Sequence, residues 1–168
     1  HHPSISGVEH AVHCGHRGIM IRLFIFGLGY AASHIARAVT QQVGQVVSTG
    51  SAGSLRFEDA ASVRLALADA THILSSVPAM VDGDPVLRAY GDVLQQRRDA
   101  WIGYLSSTGV YGDSNGAWVD ESAPIKGRRA SRNAADQDWQ DLGARVFRLP
   151  GIYGPGRSAL DRVAEGRA

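Results

Sequence analysis

Cysteine is almost absent from this sequence: one residue, Cys14, in 168. A single thiol excludes an intrachain disulfide framework and suits a reducing, cytoplasmic compartment. Long apolar runs are missing as well. None approaches the roughly 18 residues of a membrane span, and no apolar stretch near the start reads as a secretory signal. Neither sign of charge is in excess. Lys and Arg number 17 against 16 for Asp and Glu, a formal net charge of +1, so the basic surplus of a general nucleic-acid binder is lacking. No repeat and no low-complexity tract interrupts the chain.

What is present is an ordinary apolar content of 44% with 20% charged residues, enough to build a core and too little charge for disorder. Glycine is abundant, at 20 of 168, above its usual share of about 7%. The glycines gather at strand-to-helix junctions, where backbone must turn tightly or let a ligand approach.

Residues 1–19 read differently from the rest. His10, His13, Cys14 and His16 have the composition of a soft metal site. The segment has no periodic pattern of its own, however, and Met20 opens directly into a strand. It is expected to be an unstructured leader or upstream remnant, and no metal site is expected.

From Met20 onward strand and helix signals alternate. Strands are predicted at Ile21–Phe26, Gln45–Thr49, Ser54–Phe57, Thr71–Val77, Trp101–Ser106 and Arg145–Leu149. Helices are predicted at 31–43, 59–68, 85–98 and 130–142, with another starting at Ser158; Asp84 and Pro85 form an N-cap and first-turn pair. Six strands separated mostly by helices imply a mainly parallel sheet with helices on both faces, the doubly wound α/β class. One junction does not fit. Only a few residues around Gly50 and Gly53 join the second and third predicted strands, whereas a parallel crossover needs about 10 to 12. Either the third strand is misplaced or its crossover helix is lost.

Doubly wound sheets bind ligands beyond the carboxyl ends of their strands, and the motifs lie there. Gly27-Leu28-Gly29-Tyr30-Ala31-Ala32 follows the first strand and opens the first helix. In this G-x-G-x-x-A turn, Gly27 permits the bend and Gly29 admits a pyrophosphate. Ala32 keeps helix and strand close, and the helix N-terminus offers N–H groups and a positive dipole. About 20 residues on, where an acid would hold an NAD ribose or an arginine a 2′-phosphate, the sequence has Val47-Ser48-Thr49-Gly50-Ser51. Neither type is present, so NAD and NADP remain equal candidates.

Ser106-Ser107-Thr108-Gly109-Val110-Tyr111-Gly112 follows the fifth predicted strand, and Arg148-Leu149-Pro150-Gly151-Ile152-Tyr153-Gly154-Pro155-Gly156 ends the sixth. With the glycine-rich turn, these segments resemble the NAD-dependent epimerase/dehydratase family, the extended and atypical short-chain dehydrogenases. The resemblance runs from Met20 to the end. It implies a Rossmann-like fold and an NAD or NADP cofactor. It further implies a small hydroxyl- or carbonyl-bearing substrate such as a nucleotide sugar, with neither nucleic acid nor membrane as partner. Ser107 matches the family's active-site serine, with Thr108 as the neighbouring alternative. Gly27, Gly29, Tyr30, Ala31, Ala32 and Thr49 fall in the dinucleotide-binding segments. So do Ser75, Ser76, Val77 and Pro78 beside the ribose, and Pro150, Gly151 and Ile152 beside the nicotinamide. Tyr111 and the Asp120-Glu121-Ser122 turn match structural positions.

The resemblance fails at the catalytic Tyr-x-x-x-Lys. Registering the helix on the family sets Arg128 at the tyrosine and Arg132 at the lysine. A guanidinium stays protonated and cannot act as an acid/base, although Arg132 can still hold ribose hydroxyls or a phosphate. Two functions follow as expectations: an oxidoreductase or epimerase-like protein, or a non-catalytic nucleotide-binding sensor or inactive truncated product. The family continues into a C-terminal substrate lobe beyond the segment where this sequence ends. The chain is therefore expected to be the dinucleotide-binding part alone, with an open sheet edge that favours a homodimer. The isolated His34 and His72, and Trp101, Trp118 and Trp139, are read as packing residues.

Overall fold

The computed structural model describes residues 20–42 and 44–166. The His10–His16 cluster and Cys14 lie outside them. Five strands form one parallel sheet in the order β2-β1-β3-β4-β5. They are β1 (Arg22–Phe26), β2 (Gln45–Ser48), β3 (His72–Ser75), β4 (Trp101–Ser107) and β5 (Arg145–Leu149). The helices are α1 (Tyr30–Gln41), α2 (Ala60–Asp69), α3 (Pro85–Gln96), α4 (Ala130–Asp141) and the short α5 (Ala159–Ala164). This is the Rossmann-like α/β architecture expected from the alternating pattern.

The third predicted strand, Ser54–Phe57, does not form. It is a loop that folds back on the end of β2, where Leu55 makes an isolated parallel bridge to Thr49. The Leu55 amide donates to the Ser48 carbonyl, and the Ser54 hydroxyl bonds the same residue's backbone. Its apolar residues are there to fill space. The Phe57 ring meets Phe26 and Tyr90 edge-on, at 6.2 and 5.3 Å between centroids. Phe57 therefore plugs the core from a loop, and β2 is an edge strand. With that strand removed the short connection is explained, because α2 itself carries the chain from β2 past β1 to β3.

Strand alternation sorts the core into two layers. Phe24 and Phe26 point to one face, where they join Val63 and Leu67 of α2, Tyr90 and Leu94 of α3, and Trp139 of α4. Leu23 and Ile25 point to the other, where Ala32, Ile35 and Val39 of α1 cover them. The cover is unequal. Beyond α1 the second face opens into an apolar trough of about 700 Å³, floored by Leu23, Leu74, Trp101, Leu105 and Phe147. Trp101 and Phe147 sit 6.1 Å apart there. Trp139 is fully buried, in line with its packing role, but Trp118 is fully exposed and packs no core.

Helix starts follow local chemistry. Asp59 accepts from the Ser62 amide at the start of α2. Ser158 and Asp161 form a reciprocal capping box on α5. Asp84 does two jobs: one carboxylate oxygen accepts from the Val86 and Leu87 amides, and the other accepts from the Trp139 indole N–H at 2.9 Å. This buried carboxylate ties α3 to α4. Asp84→Ala removes a cap and strands an indole donor, so unfolding free energy should fall by about 2–4 kcal/mol in urea titration.

Candidate functional site

The turn after β1 is held from both sides. Gly27 has φ +78°, and a Cβ there would lie 2.9 Å from Val77 Cγ2 and 3.3 Å from Ser76 Oγ. Glycine is thus required both by conformation and by space. The Gly27 amide donates to Thr49 Oγ1 at 3.2 Å, and Ser76 Oγ donates to the Gly27 carbonyl. The ends of β2 and β3 thereby clamp the turn from behind. Gly29 is different. It is the N-cap of α1, has no side-chain cap, and nothing lies within 4 Å of where its Cβ would be. Its exposed side faces open space, and no side chain caps the first amides of α1. Ala32, completely buried, lets α1 lie close against β1 and β2.

The structure divides the sequence-predicted residues into three groups. Gly27, Gly29, Ala32, Thr49, Ser76 and Val77 converge on the turn, with Pro78 exposed just beyond it. Thr49 and Ser75 are buried beneath it at 1% and 0% exposure, so Thr49 holds the turn from behind and does not present its hydroxyl on the open side. Tyr30, Ala31 and Ile152 line the apolar trough. The Tyr30 hydroxyl donates to the Pro155 carbonyl at 3.3 Å, and Arg157 stacks over its ring at 5.3 Å. Pro150 and Gly151 lie exposed at the end of β5.

The third group sits at the end of β4. Ser107 caps a short 3-10 turn, Thr108–Tyr111, with its Oγ accepting from the Gly109 amide at 3.1 Å. Ser107 Oγ and Arg132 Nη1 flank Gly109, each about equally close to the position of its missing Cβ. The fold thus brings Ser107 and Arg132 together from β4 and α4. Thr108 is exposed beside them. Only β3 separates β1 from β4, so the two sites stand about 10 Å apart across the sheet.

Sequence reasoning missed Asp136. It is fully buried and accepts from four donors: Ser106 Oγ, Arg148 Nε and Nη2, and Gln140 Nε2. Arg148 also donates to the Glu121 carbonyl and lies over the Tyr111 ring at 4.9 Å. The signal was available. Arg148 falls in the last strand next to apolar residues, and Asp136 shares a helix face with Ala135 and Trp139. An arginine and an aspartate on facing buried surfaces need each other. In the acidic turn, Asp120 accepts from the Ser122 amide and hydroxyl.

Burial pushes the Asp136 pKa up, but hydrogen bonds from Arg148, Ser106 and Gln140 outweigh it and leave the carboxyl below its ordinary 3.8. Tyr104, the nearest buried phenol, is raised well above its ordinary 10.0, chiefly by desolvation and then by Asp84 and Asp136. Stacked 5.1 Å from Trp139, it is no proton donor near neutrality. Among the described residues no group of three His, Cys, Asp or Glu could hold a metal, and no helix is long and apolar enough to cross a membrane.

The depressed Asp136 pKa gives stability that is fully present above the unfolded value of 3.8 and is lost as pH falls through the lower folded value. The urea midpoint should therefore drop below about pH 4, and drop less in Asp136→Asn. Asp136→Ala at neutral pH should cost about 3–5 kcal/mol, because it leaves Arg148 buried and unpaired.

The geometry described so far defines a Rossmann-like domain with an open glycine turn. Comparison with solved structures finds the same architecture. A functionally unknown conserved protein from Silicibacter pomeroyi is 37% identical over 83% of this chain and 56% of its own, with a TM-score of 0.67. WbmH from Bordetella bronchiseptica, solved with NAD+, is 20% identical over 88% of this chain and 64% of its own, with a TM-score of 0.63. UDP-glucuronic acid 4-epimerase from Bacillus cereus, solved with NAD, is 17% identical over 86% and 64%, with a TM-score of 0.61. The chain thus spans between 56% and 64% of the length of these neighbours. The resemblance to NAD-dependent epimerases and dehydratases drawn from the motifs and the fold of these neighbours agree. No protein-family model matches the chain, and no curated protein does.

Proposed function

We propose that residues 20–168 are the NAD(P)-binding unit of a protein of the epimerase/dehydratase type. The observation that carries this is the open Gly29 face at the uncapped start of α1, where a pyrophosphate finds free amides and no obstructing side chain. Two neighbours of the same fold are NAD complexes, which supports the reading. Bound there, a nicotinamide would supply or accept hydride. The chain's own part is to seat the pyrophosphate at Gly29. At the end of β4, Ser107 orients the reacting oxygen of a hydroxyl- or carbonyl-bearing substrate such as a nucleotide sugar, with Arg132 close by. A single cysteine in the chain supports a reducing, cytoplasmic setting.

A second reading, nucleotide binding without turnover, is favoured by one observation. Arg128 and Arg132 stand where the resemblance sets Tyr and Lys, and Tyr104 is buried while Tyr111 lies under Arg148. Turnover of NAD(H) with any member of a sugar-nucleotide panel would decide for the enzyme.

Titrating NADH while following its fluorescence tests the cofactor half of both readings. No change at millimolar NADH would overturn them. Gly29→Asp provides a sharper version. Gly29 has φ −78° and open space around it, and Asp is a good N-cap, so stability should hold or rise by a few tenths to about 1 kcal/mol. The new carboxylate faces the pyrophosphate, and NADH affinity should fall by about tenfold or more.

The uncovered apolar trough supports self-association of two copies of this chain. Sedimentation equilibrium should show a concentration-dependent dimer, and a monodisperse monomer would exclude it.

A further inference from the structure

Five of the described arginines are held in ion pairs. Arg22, Arg64, Arg88, Arg97 and Arg148 each pair with an aspartate. Arg128, Arg129 and Arg132 do not; among the described residues none of these three forms an ion pair. All three line one cleft of about 490 Å³ at the start of α4, together with Gly109, Gly112 and Asp113. Arg129 is the N-cap of this 12-residue helix and makes no capping bond, so the first amides of α4 are also without a side-chain acceptor. Asp113 is the one acid in the lining, and its Oδ1 accepts from the Asn115 amide.

Three like charges converging on one space repel one another, and Asp113 is the one acid in the lining to offset them. The arrangement is the inverse of the Asp136 network, where each polar group has found its partner. We propose that this cleft is a phosphoryl-binding site, which takes the phosphate or diphosphate of a small molecule through Arg128, Arg129 and Arg132. Planar guanidinium forks match phosphoryl oxygens in pairs, and the helix start adds amide donors to the same anion. A dianion balances the site better than one carboxylate does, since three cations face one rim acid. The cleft is also larger than a bare phosphate needs and lies within the usual range for small-ligand pockets, about 300–1,000 Å³. The net charge of +1 gives no basic stripe for a polyanion.

The site stands apart from the Gly29 turn, so its test separates from that of the dinucleotide. Calorimetry with inorganic pyrophosphate should show binding to the wild-type chain. The Arg128→Gln/Arg132→Gln double substitution should weaken it by about tenfold or more, while Arg132→Lys alone retains part of the affinity. Gly29→Asp should leave pyrophosphate binding at the cleft within about threefold and strike NADH binding instead. The same variants titrated with NADH show whether the phosphoryl group arrives on the dinucleotide or on another molecule: a double variant with unchanged NADH affinity assigns the cleft to a second ligand, and a parallel loss assigns it to the dinucleotide. Absence of pyrophosphate binding in the wild type overturns the proposal. So does binding that survives the double substitution and disappears with Gly29→Asp. Far-UV circular dichroism on each variant checks that the substitutions leave the fold intact.

Discussion

Everything at the carboxyl edge of this sheet depends on how β1 hands the chain to α1. The strand ends at Phe26 and the helix begins at Tyr30, so three residues must reverse direction and still leave backbone free. Left-handed geometry at Gly27 makes the reversal possible. The Thr49 and Ser76 hydroxyls then hold it against β2 and β3. The polar groups of the turn are satisfied from behind, and the front therefore stays uncommitted. The open side of Gly29 is a consequence of that one-sided clamp, and Ala32 completes it by letting helix and strand approach.

A second constraint works behind the opposite end of the edge. Asp136 and Arg148 hold α4 to β5, and Ser106 brings β4 into the same network. The residue after it, Ser107, turns to the front beside Gly109 and Arg132. Strand alternation puts a structural serine and a candidate functional one side by side with opposite destinations. Buried charge here fixes the position of α4, and with it the place where the three arginines converge.

The sequence made the local rules legible. Short β-rich apolar runs marked the strands, the G-x-G-x-x-A turn marked the junction, and Asp84-Pro85 marked the start of α3. It was misleading where apolar pattern served a loop. Leu55 and Phe57 look like a strand because they pack into a core, yet the Ser54 hydroxyl and the Leu55 amide fold the segment back onto Ser48. The long-range polar network was harder to see. Asp136 and Arg148 are 12 positions apart, and the packing of α4 on β5 brings them together. The arginine cleft was half visible: Arg128 and Arg132 stood out as departures from a motif, but their grouping with Arg129 around Gly109 is a property of the fold.

The three tryptophans occupy three different environments. Trp139 is sealed among α3, α4 and β4 with its indole N–H on a carboxylate, Trp101 lies half-buried in the floor of the trough, and Trp118 stands fully in solvent. The protein thus carries its own set of optical reporters. Emission from Trp139 follows the main core, and Trp101 follows whatever comes to rest on the uncovered face. Trp118, remote from both layers, supplies the solvent-exposed reference against which the other two are read.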